Sequence, residues 1–211
     1  MAVVGIVPAA GSGTRLGAPG PKAFVPFRGR PLLEWSVDAL RAVCERVVVA
    51  VPAGHEQPPD RVTGGPSRSA SVRLALEAAP EARVVVVHDA ARPLVTPELV
   101  RRCVEALEGV DGAIAAAPVT DTVKEAGDDQ LVARTLDRSR LWAVQTPQVF
   151  RADALRRALD VDDATLAAAT DDAALVEAIG GTIRLVEAPQ ENIKITRPAD
   201  LVIADVLMSA S

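Results

Sequence analysis

The residues best suited to chemistry in this chain lie near its start, where glycines and cations follow a short apolar segment. Gly11, Gly13 and Gly17 free backbone N–H groups to approach a phosphate closely, because they carry no side chain. Arg15 and Lys22 add positive charge to the same stretch. Amides and fixed cations together indicate phosphate chemistry. A plain tight turn is the alternative interpretation.

The spacing of these glycines differs from that of the common nucleotide-binding loops. A dinucleotide fingerprint, G-x-G-x-x-G, opens directly into a helix, but here Gly17 comes one position late. Pro19 and Pro21 also prevent a helix from starting there. A Walker loop needs a lysine followed by serine or threonine after its second glycine, and this pair is absent. The loop therefore argues against an NAD-dependent dehydrogenase and against a Walker-type site.

The elements that must position these residues follow an alternating pattern. Valine-rich runs at Val3–Pro8 and Arg46–Val51 predict strands that are covered on both faces. Helix-like segments and apolar runs alternate after them, which is typical of an α/β fold with a mostly parallel sheet. The other predicted strands are residues 84–88, 113–117 and Ile183–Glu187. The predicted helices are residues 32–42, 69–79, 97–107 with Thr96 as N-cap, 151–159, 171–179 and 198–208.

One segment interrupts this alternation after the fourth predicted strand. Residues 119–124 and 131–136 are short alternating runs around Ala126-Gly127-Asp128-Asp129. Two alternating runs joined by such residues are a hairpin signal. We therefore expect a β-hairpin that leaves the regular helix–strand order.

Length and composition favour a single domain over residues 1–211. A chain of this size can bury a substantial core, and its net charge of −5 argues against non-specific binding of nucleic acid. Cys44 and Cys103 form no C-x-x-C motif and are predicted to be reduced core residues. No signal-peptide pattern is present, and no apolar run approaches the ~20 residues of a membrane span. We expect a cytoplasmic protein without nucleic-acid or membrane partners.

Charged residues follow the third predicted strand, at the edge where open α/β sheets bind ligands. Asp89 is suited to Mg²⁺, which takes one or two carboxylates together with phosphate oxygens, and Arg92 is placed to hold a second anion. An Asp–Arg ion pair that only holds the loop is the alternative. His88 is predicted to be structural, because His55 is the only other histidine and no histidine metal cluster can form.

Two further segments bring polar groups to the same edge. Gly64 and Gly65 precede a serine-rich helix start, which either presents N–H groups to a nucleotide or is an ordinary N-capping turn. Lys194 lies between Ile193 and Ile195, so alternation directs it to water or to a polar pocket.

With these motifs in order, the sequence closely resembles the 2-C-methyl-D-erythritol 4-phosphate cytidylyltransferases of the non-mevalonate isoprenoid pathway. The resemblance implies a Rossmann-like nucleotidyltransferase fold with a protruding β-hairpin arm. It also implies that CTP and a polyol phosphate react, with Mg²⁺, to give a CDP-polyol and pyrophosphate. The matching motifs span nearly the whole chain: Pro8-Ala-Ala-Gly-Ser-Gly-Thr-Arg-Leu-Gly17, Pro21-Lys22, Gly64-Gly65 with Arg68 and Ser71-Val72, His88-Asp-Ala-Ala-Arg-Pro93, Ala117-Pro118-Val119, Asp121-Thr122, Asp137-Arg138, Leu141-Trp142, Gln145-Thr-Pro-Gln148 and Asn192-Ile-Lys-Ile-Thr-Arg-Pro198.

The resemblance implies roles for individual residues. Arg15 and Lys22 are expected to stabilise the transition state, and Asp89 is expected to bind Mg²⁺. The residues expected to contact CTP are Ala9, Ala10, Gly11, Gly13, Gly65, Ser71, Asp89 and Ala90.

Family members are homodimers in which each arm crosses into the partner's active site. In this chain the arm corresponds to residues 119–138, with Thr122 and Arg138 reaching the neighbour's sugar phosphate. Arg138 and Lys194 are then expected to act in catalysis by positioning that phosphate for attack, aided by Arg92 and Thr146.

One departure from the family concerns the nucleotide base. Many relatives carry an acidic residue after the double glycine, where this chain has Pro66. An acid there can accept a hydrogen bond from the cytosine amino group, whereas proline cannot. Backbone carbonyls near Gly64 and Gly65 are the alternative source of base selectivity. The rival functions are a ribitol 5-phosphate cytidylyltransferase and, in a different class, a non-catalytic nucleotide-binding module.

Overall fold

A computed structural model describes residues 2–11, 16, 20–57 and 59–210, which form a central sheet with helices on both faces. The β-strands are β1 Val3–Pro8, β2 Pro26–Phe27, β3 Arg30–Pro31, β4 Arg46–Val51, β5 Arg61–Thr63, β6 Val84–Val87, β7 Gly112–Pro118, β8 Lys124–Ala126, β9 Val132–Thr135, β10 Trp142–Arg151 and β11 Ile183–Glu187. The α-helices are α1 Leu32–Arg41, α2 Arg68–Glu77, α3 Pro97–Glu105, α4 Ala152–Leu159, α5 Asp163–Ala168, α6 Asp172–Ala178 and α7 Pro198–Ala210. Short 3₁₀ helices cover Lys22–Phe24 and Arg138–Arg140.

The central sheet is mostly parallel, as the alternating pattern predicts. Its seven strands lie in the order β11-β7-β10-β6-β1-β4-β5. β1 pairs in parallel with β4 and with β6, whereas β10 runs antiparallel to both of its neighbours. The carboxyl ends of β1, β4 and β6 therefore meet at one edge of the sheet, which is where ligands bind in open α/β folds.

Two apolar layers cover the faces of this sheet. In β6, Val84 and Val86 pack in one layer with α1 and α3, while Val85 and Val87 pack in the other with α2, α4 and α6. Because successive strand residues point to opposite faces, a run of four valines serves both layers. Among the described residues, no helix has the length and apolar character needed to cross a membrane.

Strand β10 is the main element that the sequence patterns miss. It lies in the middle of the sheet, but the polar residues Gln145, Thr146 and Gln148 break its apolar pattern. All three are buried, and their side chains bond to other polar groups inside the protein. The same patterns also miss the edge strand β5 and helix α5, since both are short and largely outside the apolar layers.

The predicted hairpin is present, although its strands are shorter than expected. β8 and β9 form a two-stranded sheet of their own, and residues 119–123 are not a strand. No residue from 118 to 144 is buried, and the apolar side chains of Leu131 and Val132 are 69% and 61% exposed. The arm, residues 119–138, therefore has no buried core of its own, and no other part of this chain buries its side chains.

Candidate active site

A cavity of about 470 Å³ opens at the carboxyl edge of β1 and β6. Its charged lining residues are Lys22, Arg68, Asp89 and Lys194, so three of the four carry positive charge. The other lining residues are Pro8, Ala9, Ala10, Gly11, Ala23, Gly65, Pro66, Ser67, Ser71, Ala90 and Ala91. This balance of charge suits a polyanion that arrives with a divalent cation.

The loops after β1 and β5 touch each other at one side of this cavity. Backbone hydrogen bonds join Ala9 N–H to the Ala50 carbonyl at 2.7 Å and Gly64 N–H to the Val51 carbonyl at 2.8 Å. A Cβ atom on residue 64 would lie 2.4 Å from the Cβ of Ala10, which is closer than such atoms approach. Glycine at this position is therefore what allows the first loop and the double-glycine turn to share a wall.

The double-glycine turn is fixed from the start of α2. Ser71 Oγ accepts from Gly65 N–H at 3.1 Å and donates to the Ser67 carbonyl at 2.9 Å. Ser67 caps the helix, its Oγ accepting from Ala70 N–H at 3.2 Å. The N-capping interpretation is confirmed, and the same turn lines the cavity, while its contact with a nucleotide stays a prediction.

Asp89 lies between two cations. Its Oδ1 is 3.0 Å from Arg68 Nε, and its Oδ2 is 2.6 Å from Lys194 Nζ. A backbone hydrogen bond of 2.8 Å from Ile195 N–H to the Ala91 carbonyl brings the Lys194 segment beside the β6 loop. Burial alone would raise the pKa of Asp89, but Arg68 and Lys194 hold it well below its ordinary value. Lys194 thus faces the polar pocket, which answers the question that alternation left open.

A chain of hydrogen bonds supports Asp89 from behind. Thr146 Oγ1 accepts from Asp89 N–H at 3.0 Å and lies 2.9 Å from His88 Nδ1, while His88 Nε2 lies 3.2 Å from the Arg92 carbonyl. A neutral imidazole with its proton on Nε2 satisfies every group in this chain. Complete burial lowers the pKa of His88 to about 4, so the ring is neutral at physiological pH. The prediction that His88 is structural is confirmed.

The pairing of Arg92 differs from the ion pair considered in the sequence analysis. Arg92 is buried, and its Nη1 donates to the Asn192 carbonyl at 2.6 Å rather than to Asp89. Asn192 Nδ2 in turn donates to Gln145 Oε1 at 2.7 Å and to the Thr146 carbonyl at 2.9 Å. Burial lowers the pKa of Arg92. Arg92 and Thr146 therefore form the wall behind the cavity, and the Asp–Arg pair uses Arg68 instead.

The two predicted site residues of the arm lie elsewhere. Thr122 and Arg138 are exposed, and neither lines the cavity of its own chain. Arg138 Nη1 donates to the Thr120 carbonyl, so its side chain folds back on the base of the arm. The structure therefore does not bring these two residues to the cavity, and their contact with a sugar phosphate stays a prediction.

Most of the other predicted site residues converge on the cavity. They are Ala9, Ala10, Gly11, Lys22, Gly65, Ser71, Asp89, Ala90 and Lys194. Arg15 and Gly13 lie outside the described residues. Two residues of the site escape the sequence patterns: Arg68, which has no assigned role within its motif, and Asp172. The only local signal for Asp172 is its place at the first turn of α6, beside the N-cap Asp171.

Comparisons with known proteins agree along nearly the whole chain. The profile of the family described as 2-C-methyl-D-erythritol 4-phosphate cytidylyltransferase matches residues 3–210. The protein of that name from Deinococcus radiodurans is 46% identical over 206 residues, which cover 96% of this chain and 88% of that protein. Its namesake from Nocardia farcinica is 45% identical over 98% of this chain and 94% of its own length. The crystal structure of the enzyme of that name from Thermus thermophilus matches with a TM-score of 0.84 and 39% identity, over 99% of this chain and 100% of that one.

Proposed function

The chain belongs to the 2-C-methyl-D-erythritol 4-phosphate cytidylyltransferase family, and on this premise we propose how its cavity performs the reaction. A phosphate oxygen of 2-C-methyl-D-erythritol 4-phosphate attacks the α-phosphorus of CTP. A new P–O bond forms, the bond to the β-phosphate oxygen breaks, and pyrophosphate leaves. Because CTP is an intracellular metabolite, the enzyme acts in the cytoplasm. The observation that carries the proposal is the convergence of Lys22, Asp89 and Lys194 on one cavity.

The proposed chemistry needs positioning and charge stabilisation rather than a general base. The attacking phosphate is already ionised at neutral pH, and the described residues that line the cavity include no histidine. His88, which directly follows β6, is neutral, and both of its ring nitrogens are hydrogen-bonded. Lys22, with Arg15, stabilises the charge that develops on the α-phosphate, while Lys194 holds the attacking phosphate.

The donor set around Asp89 fits Mg²⁺. Asp89 is the one carboxylate among the described cavity residues, and no group of three or more potential ligands occurs in the part of the chain that the structure describes. Mg²⁺ suits such a site, because it is usually bound by one or two carboxylates, water and substrate phosphates. When bound, the ion neutralises phosphate charge and aligns the triphosphate. Asp89, ionised across the physiological range, is the residue that would hold it.

Base selectivity is proposed to come from the backbone of the double-glycine turn. Pro66 lines the cavity but offers neither a backbone N–H nor a side-chain acceptor. Ser71 Oγ accepts from Gly65 N–H at 3.1 Å and lies 3.4 Å from the Gly65 carbonyl oxygen, and Gly64 lies closely against Ala10, so the turn is fixed in place. A rigid carbonyl can accept from the cytosine 4-amino group, whereas uracil presents a carbonyl oxygen at the same ring position.

The direct test is Mg²⁺-dependent pyrophosphate release from CTP. Methylerythritol phosphate and ribitol 5-phosphate are assayed in parallel, with ATP, GTP and UTP replacing CTP as controls. We expect release only with CTP and methylerythritol phosphate. Release with ribitol 5-phosphate instead would keep the mechanism and change the substrate. Binding of CTP without release for any polyol phosphate would support the nucleotide-binding module, and release with UTP would contradict the role given to the backbone carbonyls.

The exposed arm is proposed to complete the site of a second copy of the chain, in a homodimer. This is supported by the absence of any buried residue from position 118 to position 144 and by the place of Arg138 outside its own cavity lining. Arg138 and Thr122 would then bind the sugar phosphate that lies in the cavity of the partner chain.

Subunit mixing tests this arrangement. Lys22→Ala impairs the cavity of its own chain, and Arg138→Ala impairs only the arm. The mixture is assayed at a sugar-phosphate concentration well below the wild-type KM, where both parent variants have low activity. If the arm acts across the dimer, a mixed dimer has one site with a normal cavity and a normal arm. Equal mixing, after subunit exchange, is then expected to recover about a quarter of wild-type activity. If each arm serves its own chain, mixing recovers nothing.

A further inference from the structure

A line of four alternating charges runs from the interior to the cavity. Asp172 Oδ2 lies 2.5 Å from Arg68 Nη1, Arg68 Nε lies 3.0 Å from Asp89 Oδ1, and Asp89 Oδ2 lies 2.6 Å from Lys194 Nζ. The side chain of Asp172 is 0% exposed, that of Asp89 is 10% exposed and that of Lys194 is 40% exposed. The two oxygens of Asp89 therefore have different environments, one held by the protein interior and one beside the cavity.

Arginine is the residue type that this position requires. The guanidinium carries N–H donors in a fixed planar fork, so Arg68 can bind two carboxylates in two directions at once. A lysine carries all three of its donors on one nitrogen, so it cannot reproduce the two separate directions taken by Nε and Nη1 of Arg68. Burial alone would lower the pKa of Arg68, but Asp172 and Asp89 raise it above its ordinary value, and the bridge is permanently charged.

Asp172 holds one end of the bridge that Arg68 forms between the two carboxylates of Asp172 and Asp89. It lies at the first turn of α6, where Asp171 caps the helix by accepting from Ala174 N–H at 2.9 Å. Asp171 also accepts from Gln148 Nε2 of β10 at 2.7 Å, which ties the start of α6 to the sheet. Asp172 has no exposed surface, and Arg68 is the partner of its carboxylate. Its position is thus set by a helix cap and a sheet, not by the ligand.

We propose that Arg68, backed by Asp172, is a positioning residue that orients the Asp89 carboxylate toward the divalent cation of the nucleotide. Asp89 Oδ1 stays on the guanidinium, so Oδ2 alone is presented to the cavity. Lys194 is the partner of that oxygen in this structure, and a cation bound at Oδ2 would leave Lys194 available to the phosphate. Replacing a residue that orients a metal ligand typically lowers metal affinity by about tenfold to a hundredfold. The inference rests on the proposed function of Asp89.

The test measures Mn²⁺, as a paramagnetic substitute for Mg²⁺, binding to the protein in the presence of CTP without a second substrate. Electron paramagnetic resonance gives the free Mn²⁺ concentration and hence the dissociation constant. Arg68→Lys and the isosteric Asp172→Asn are each expected to weaken Mn²⁺ binding by about tenfold to a hundredfold. Thermal unfolding of each variant shows whether the fold is retained at the assay temperature.

Arg73→Lys is the matched control. Arg73 lies on the same helix, its side chain is 30% exposed against 27% for Arg68, and its Nη2 is 2.6 Å from Asp163. It also donates to the Val161 carbonyl at 3.1 Å, but it does not line the cavity. A merely structural role for Arg68 predicts that both lysine variants lower the unfolding temperature and that neither changes Mn²⁺ affinity.

The outcomes separate this inference from the proposed function. Weakened Mn²⁺ binding in folded Arg68→Lys and Asp172→Asn, with Arg73→Lys unchanged, supports the positioning role. Wild-type affinity in both folded variants, or a wild-type protein that binds no Mn²⁺ with CTP, overturns it. Pyrophosphate release by the wild-type protein is scored separately, and its failure would refute the proposed reaction without entering the Mn²⁺ comparison.

Discussion

The cavity and the arm are built in opposite ways. In the cavity, the side chain of Asp89 is held by Arg68 and Lys194. Its backbone is held by Thr146, whose Oγ1 accepts from Asp89 N–H, and by Ser36, whose Oγ donates to the Asp89 carbonyl at 3.3 Å. Along the arm, no side chain is buried, and the ion pair of Arg134 with Glu125 at 2.6 Å is exposed at both ends. One region is fixed by its own chain, whereas the other is not.

This difference indicates where each kind of function can reside. A site that must hold charged groups in place before the ligand arrives needs fixed partners, because preorganised charge costs no rearrangement during reaction. The exposed arm lacks such partners and can gain them only from another surface. Mutations in the cavity should therefore alter the chemistry of a folded protein. If the proposed dimer forms, mutations in the arm should alter steps that involve the second copy.

The largest expected effect is in the cavity. Lys22→Ala should lower kcat by about 10²–10³-fold, because one fixed donor to the developing charge is lost. The control is Lys124→Ala, since Lys124 is an arm lysine bonded to Thr135 Oγ1 at 2.6 Å and is remote from the cavity lining. Steady-state pyrophosphate release and thermal unfolding are measured on both. Normal turnover by folded Lys22→Ala protein would remove Lys22 from the mechanism.

The buried His88, in the hydrogen-bond chain behind Asp89, should make the free energy of unfolding depend on pH. The pKa of His88 is about 4 in the folded protein against an ordinary value of 6.5, so between these values the unfolded chain binds the extra proton. The contribution of His88 to the free energy of unfolding is therefore fully present above about pH 6.5. It is lost progressively as the pH falls toward about 4, and it does not change further below that pH. Urea unfolding at about pH 7 and about pH 5 should differ by roughly 2 kcal/mol on this account.

Two histidine variants isolate this contribution. His88→Gln should remove most of the difference between the two pH values, whatever its effect on stability itself. His55→Gln should retain it, because His55 is exposed and contacts Phe24 rather than the wall. An equal pH dependence in wild type and His88→Gln would show that the buried imidazole is not its source.

The same contrast explains what could be predicted from the sequence. Apolar periodicity located the strands that form the sheet edge, and the loop motifs located Lys22, Asp89 and Lys194, because these signals are local. The bridge from Arg68 to Asp172 joins residues 104 positions apart, and nothing local marks that pairing. β10 was missed because its local signal is misleading: its polar residues break the apolar pattern of a buried strand, and their partners become visible only in three dimensions.

A moderate effect is expected at the base of the arm. Arg138→Ala should raise the KM for the sugar phosphate by about tenfold to a hundredfold and leave the KM for CTP nearly unchanged, through loss of a charged hydrogen bond. Arg134→Ala is the control on the same hairpin, because its partner is Glu125 and its exposed ion pair contributes little. Steady-state kinetics with each substrate varied in turn distinguish the two. A change confined to the KM for CTP would contradict the role of Arg138.

The smallest effect is expected at the tip of the arm. Leu131 is 69% exposed, so Leu131→Ser should change the free energy of unfolding of the isolated chain by less than about 0.5 kcal/mol. If a second copy covers this side chain, the same substitution should weaken the dimer by about tenfold for each of the two leucines covered, since burying a leucine contributes about 1.5 kcal/mol or more. Sedimentation across a dilution series measures the association, and urea unfolding at low concentration measures the chain. Loss of chain stability with unchanged association would mean that the tip packs against its own subunit, and the contrast between cavity and arm would then fail at this point.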